Sequence, residues 1–148
     1  ARLLRSDVVR KTLMGVAPEA RLSAEAYSAE MNARVYATLR SRAVTTLAWG
    51  YTAIVDATFI DEAQLQDIET AAREIGAPFL GLWLAAPDNV LLRRVEARRG
   101  DASDADRAVL MRQLTAATGA ISWARIDASG TLDQSIAGAA GALQSVRR

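Results

Sequence analysis

The sequence contains no cysteine and no histidine. Those absences exclude disulfides, zinc sites of the usual kind, thiolate nucleophiles and Ser-His-Asp triads. A metal here must be a hard cation on oxygen ligands, and magnesium is the first candidate. Aromatic residues are scarce, at 5%, and positive charge is almost all arginine, with Lys11 the sole lysine. No basic stripe interleaved with aromatics is present, so nucleic acid is not an expected partner. A net charge of +1 supplies no bulk field toward an anionic membrane. No signal-peptide pattern and no apolar run of bilayer length occur, which makes a cytoplasmic protein the economical expectation. Two phosphate-binding signatures are also missing. Lys11-Thr12 ends like G-x-x-x-x-G-K-[ST], but Arg10 precedes it and no glycine stands upstream. Lys11 is therefore expected to be a solvent-exposed helix residue. The lack of G-x-G-x-x-G argues against a dinucleotide enzyme.

What is present alternates between short apolar runs and amphipathic stretches. The 148 residues are one domain's worth, enough to bury a core. Strands are expected over 51–56, 78–85 and 123–127, and Leu3–Leu4 reads as the end of a strand that begins at or before residue 1. Helices are expected at 7–13, 29–48, 61–75, 87–98, 105–117 and from 131 to about 146, with 15–23 as loop. Met31, Val35, Leu39, Ala43 and Leu47 recur at every fourth position and should line one helix face. Gly50 supplies a helix stop. Asp61 with Gln64, and Thr131 with Gln134, have capping-box spacing. The run from Pro78 to Ala85 is apolar on both faces, as a strand covered by helices should be. No internal repeat, low-complexity tract or linker is visible. The alternation implies an α/β fold with a mostly parallel sheet.

Two strands run out at or near an aspartate. Leu3-Leu4-Arg5-Ser6-Asp7 leads into a helix, and Ala53-Ile54-Val55-Asp56 leads into Ala57-Thr58. Parallel strands deliver their carboxyl ends to one edge, where ligands bind. Two carboxylates there can hold magnesium and accept a hydroxyl proton, which points to phosphoryl transfer. The plainer alternatives are that Asp7 caps a helix and Asp56 serves a turn that includes the amide of Thr58. Arg10 stands one helical turn from Asp7 and could hold an anionic or hydroxylated substrate, or be a surface partner. Arg93, Arg94, Arg98 and Arg99 cluster before the polar Gly100–Asp104 stretch. They suit either a helix C-terminus or a lid over phosphates. Tyr27 and Tyr36 could line a substrate pocket or serve as packing residues.

In order, the stretches L-L-R-S-D-V-V-R-K (3–11), I-V-D-A-T-F (54–59), G-L-W-L-A-A-P (81–87), R-R-V-E-A-R-R-G-D-A-S-D-A-D (93–106) and W-A-R-I-D-A-S-G (123–130) span nearly the whole chain. Together they resemble the P-loop kinases of the gluconate kinase, zeta toxin and polynucleotide 5′-kinase group. The nearest likeness is to the AAA-type kinase-like ATP-binding domain that accompanies aminoglycoside-phosphotransferase-like domains in bacteria. The resemblance implies a three-layer P-loop NTPase fold with a parallel sheet ordered 2-3-1-4-5. It implies Mg-ATP as cofactor, a small-molecule hydroxyl as acceptor and a fused or partner phosphotransferase-like domain. By the same likeness Asp7 is the base facing the acceptor, Arg10 the substrate anchor, and Asp56 the carboxylate near magnesium with Thr58 beside it. Arg94 and Arg98, with Arg99, look like lid arginines within 93–106, and Ser129 and Gly130 resemble the loop bordering adenine.

The departure lies at the amino end. In such kinases a strand, the phosphate loop and a helix come first, so this chain is expected to supply strands two to five, with roughly forty residues upstream of them. The function expected of the complete protein is ATP-dependent transfer of the γ-phosphoryl group to a small-molecule hydroxyl, with the present chain alone inactive. The rival readings are an ATP-binding or hydrolysing regulatory module without its own acceptor, and a catalytically dead remnant.

Overall fold

A computed structural model describes residues 1–17, 19–97, 107–115 and 121–146. Among them are four strands, β1 (Arg2–Arg5), β2 (Ala53–Asp56), β3 (Leu82–Ala85) and β4 (Ala124–Asp127). Six α-helices accompany them: α1 (Ser6–Met14), α2 (Ala29–Ala48), α3 (Glu62–Glu74), α4 (Asp88–Ala97), α5 (Arg107–Thr115) and α6 (Leu132–Val146). The mixed α/β composition follows the alternation in the sequence. A short 3₁₀ turn over Ala24–Tyr27 follows the 15–23 stretch expected to be loop. No described helix is long and apolar enough to cross a membrane.

The strands bond as two parallel pairs, β1 with β2 and β3 with β4. The described residues fall into two compact units, one spanning Ala1–Ala77 and the other beginning at Pro78.

In the first unit, α1 and α2 cover the β1–β2 pair around a core of Leu4, Val9, Val35, Leu39 and Ala43. Val35 and Leu39 are essentially inaccessible, and each such burial is worth about 1.5–3 kcal/mol. The fourth-position stripe of α2 holds through Ala43 and then gives way. A strict repeat of four drifts against 3.6 residues per turn, so Thr46 rather than Leu47 occupies the next buried position. Its hydroxyl is satisfied by donating to the Arg42 carbonyl at 2.7 Å. Arg40, on the outer side of α2, bonds Asp67 at 3.1 Å and Glu74 at 2.6 Å, tying α2 to α3.

Lys11 corrects an expectation. It is 2% exposed rather than solvated, because α1 packs against both β1 and α2. Gly15 ends α1 with φ +68°, and the amides of Gly15 and Val16 reach the carbonyls of Thr12 and Lys11. This left-handed stop needs glycine.

In the second unit β3 is shorter than the apolar run suggests, and its Leu84 is 63% exposed. The expectation of a strand covered on both faces fails there: α6 packs on β4 and leaves Leu84 open. Residues 79–81 do not pair as strand. Phe79 meets the Trp123 ring at 5.6 Å, and the indole lies so close over Gly81 that a Cβ would sit 2.2 Å from it.

Candidate functional site

Strand register builds the site in the first unit. Arg5 pairs with Asp56 across β1 and β2, so Asp56 and the start of α1 share the carboxyl-end edge. Arg5 Nε donates to Asp56 Oδ2 at 3.1 Å, and the Asp56 side chain remains 58% exposed. An exposed pair of this kind contributes about 0–1 kcal/mol, so its main effect is to orient the carboxylate. Asp7 is not a cap. Arg5 takes the cap position and Asp7 stands half-buried in the first turn of α1, where the helix N-terminus favours a negative charge.

Arg10 turns inward. Its side chain is on a residue 6% exposed, its Nη1 donates to the Ala26 carbonyl at 2.7 Å, and its Cζ lies 4.8 Å from the centre of the Tyr27 ring. Arg10 Nε is buried without a hydrogen-bond partner among the described residues. A buried guanidinium left partly unsatisfied is costly, and here the 3₁₀ turn that covers it offers a carbonyl and a π face in return.

Beyond Asp56 the chain makes a tight exit. Thr58 Oγ1 lies 3.3 Å from Tyr36 Oη, and the Phe59 amide donates to the same phenolic oxygen at 3.2 Å. Phe59 is 4% exposed, meets Tyr36 edge-to-face at 5.5 Å and holds φ +45°. Positive φ at a bulky residue costs roughly 1–2 kcal/mol, offset here by the ring contact and the amide bond. Tyr36 also borders an open groove between α2 and α3 with Arg40 and Gln64.

The second unit gathers a different set. Arg94 on α4 donates to the carbonyls of Ala128, Ser129 and Gly130, the last at 3.0 Å. Asp127 Oδ1 accepts the Ser129 amide at 2.8 Å, and hydrogen bonds from Ser129 hold this carboxyl below its ordinary value. Thr131 and Gln134 form the expected reciprocal cap, at 2.8 and 3.3 Å. A side chain at Gly130 would run into the capping Gln134 Oε1. Arg94 is thus brought to Ser129 and Gly130 as their organiser. Arg98, Arg99 and the remainder of the 93–106 segment beyond Ala97 lie outside the described residues.

Three relationships were missed from the sequence: Arg5 opposite Asp56, Tyr36 on Thr58, and the Ala26–Tyr27 turn over Arg10. Only the first had a local signal, since Arg5 and Asp56 each close an apolar run and parallel pairing sets such positions side by side. For a magnesium ion the donors of the first unit are one exposed carboxylate, already bonded to Arg5 through one oxygen, and the nearby Thr58 hydroxyl. No group of three or more acidic side chains able to hold a metal occurs among the described residues. That set fits an ion carried in on a phosphate ligand, since magnesium retains waters and needs only one or two protein carboxylates.

A family model described as an AAA domain matches residues 1–119. No curated protein matches the chain. No solved structure matches it either.

Proposed function

The chain belongs to the AAA domain family, a nucleotide-binding group of the P-loop NTPase type, and from that premise we propose an ATP-dependent phosphotransferase acting on a hydroxyl of a small molecule. The observation that carries this reading is the register of β1 and β2, which sets Asp56 at the same strand edge from which α1 starts, with Asp7 in its first turn. In the reaction the bond from the γ-phosphorus to its bridging oxygen breaks, ADP leaves, and a new bond forms to the acceptor oxygen. Asp7 takes the proton released by that oxygen. Asp56, through the carboxylate oxygen not bonded to Arg5, and the Thr58 hydroxyl are the groups that would hold magnesium and a phosphate. Magnesium, when bound, neutralises charge on the phosphate oxygens.

In the second unit Arg94 shapes the loop of Ser129 and Gly130, which in this reading borders the nucleotide base. Arg98 and Arg99 are assigned, on the family likeness alone, the role of lid cations that neutralise charge on the phosphoryl group.

The test is Asp7→Asn in the full-length protein, with transfer followed from γ-labelled ATP into a metabolite pool and Mg-ATP affinity followed by calorimetry. Transfer is expected to vanish while affinity stays within about twofold, since an amide cannot take the proton but preserves shape. Near-normal transfer would remove Asp7 from the mechanism.

A second reading, a nucleotide-binding or hydrolysing regulatory module without an acceptor, is favoured by one observation. Arg10, the supposed acceptor anchor, is buried beneath Ala26 and Tyr27. Retained ATP hydrolysis with no labelled product in a broad metabolite pool would select it.

A further inference from the structure

The contact between Tyr36 and Thr58 has a direction that matters for ligand binding. The Phe59 amide donates to Tyr36 Oη, and a hydroxyl that accepts one hydrogen bond becomes a better donor of the next. Either hydroxyl could supply the proton between Tyr36 Oη and Thr58 Oγ1, and the greater acidity of a phenol over an alkyl hydroxyl favours Tyr36 as the donor. That leaves the Thr58 proton for another acceptor, on a residue that is exposed and two positions beyond Asp56 at the strand edge. The arrangement is held from both sides. Tyr36 packs against the core of the first unit, and buried Phe59 keeps an unfavourable φ of +45° while its amide and ring both meet Tyr36. Strain kept at a strand exit beside a candidate site is the kind that local function retains.

We propose that Tyr36 is a positioning residue. It relays the Phe59 amide through its own hydroxyl to Thr58, and so orients the Thr58 hydroxyl to donate to an oxygen of an anionic ligand at the β2 edge. This rests on the nucleotide reading above, in which that oxygen belongs to a phosphate of Mg-ATP. Because Thr58 donates, the edge prefers ligand oxygens that accept, such as phosphate, over ligand groups that can only donate.

The experiment is calorimetric titration of Mg-ATP into the full-length protein and its variants, with thermal melts alongside. Removing one such hydrogen bond is worth about three- to tenfold in affinity. Tyr36→Phe and Thr58→Val should each weaken Mg-ATP binding by about that factor. The double variant should be no weaker than Thr58→Val, and Thr58→Ser should bind as the wild type does. A packing role alone would lower the melting temperature and leave affinity unchanged, and that result would overturn the proposal. Losses that multiply in the double variant would overturn it too. If Tyr36→Phe fails to fold, the contrast of Thr58→Ser with Thr58→Val decides, and equal affinities for those two would overturn it. A wild-type protein that does not bind Mg-ATP overturns the nucleotide reading and this inference together. A wild type that binds, with an indifferent Tyr36→Phe, overturns this inference alone.

Discussion

Asp56-Ala57-Thr58 and Asp127-Ala128-Ser129 are nearly the same tripeptide at the same place, the end of the second strand of a parallel pair, yet their side chains behave differently. In the second unit Asp127 turns onto its own chain and accepts the Ser129 amide. In the first unit Asp56 reaches across to Arg5, and the Thr58 and Tyr36 hydroxyls share a hydrogen bond. The register explains the divergence. Asp56 faces Arg5 across the pair, whereas Asp127 faces Ala85. A carboxylate with a guanidinium opposite is drawn sideways, and one with a methyl opposite uses the nearest amide. The loop after Asp127 then takes its cation from elsewhere, with Arg94 donating to backbone carbonyls rather than to a carboxylate. One edge is organised by side chains bonded to side chains, the other by side chains bonded to backbone.

The contrast can be broken most strongly at Arg94. Arg94→Met keeps much of the aliphatic length and removes every donor to the three carbonyls. The loss should be about 1–2 kcal/mol, the low end for bonds to a charged group because the site is exposed. A urea melt measures it, and amide shifts confined to 128–130 would mark the cause. An unchanged melt would mean that the loop holds itself.

A smaller effect should convert one edge into the other. Arg5→Ala gives Asp56 the neighbour that Asp127 has, and its carboxylate should swing to the Thr58 amide at a stability change within about 1 kcal/mol. A downfield shift of the Thr58 amide proton reads the swing. Ala85→Arg is the converse, and it should draw Asp127 off Ser129. If neither carboxylate moves, the facing residue is not what decides.

The smallest effect is in acid. The Asp127 carboxyl is held below its ordinary value of 3.8 by Ser129. A depressed carboxylate contributes its bond fully above the unfolded value and loses it as pH falls through the folded one. The Ser129 amide shift should therefore be flat above about pH 5 and move only below the ordinary carboxylate range. Asp127→Asn should abolish that titration.

Much of this was legible along the chain because it is local. The span of α2 needs only its apolar period, and the Thr131–Gln134 cap and the glycine stop after α1 need only residues a few positions apart. The edge aspartates were also readable, since a strand that runs into a helix or turn announces where it ends. Lys11 is buried against expectation because a helix covered on two sides buries positions that a one-sided helix would leave wet. Arg10 turns inward because the turn over it comes from sixteen residues away, a contact that no local pattern announces. Thr46 displaced Leu47 from the buried stripe because the helical repeat is not four.

The sequence by itself determined the lack of cysteine and histidine, the α/β alternation, the Thr131–Gln134 cap and the aspartates at or just past the strand ends, all set by composition or by contacts within a few residues. Tertiary structure alone decided which carboxylate meets a guanidinium, that Tyr36 bonds Thr58, and that Arg94 gathers the loop after β4. Those outcomes depend on strand register and on helices laid over the pairs, which join residues 22 to 51 positions apart. No local propensity encodes a partner at that distance; packing of the apolar faces selects it.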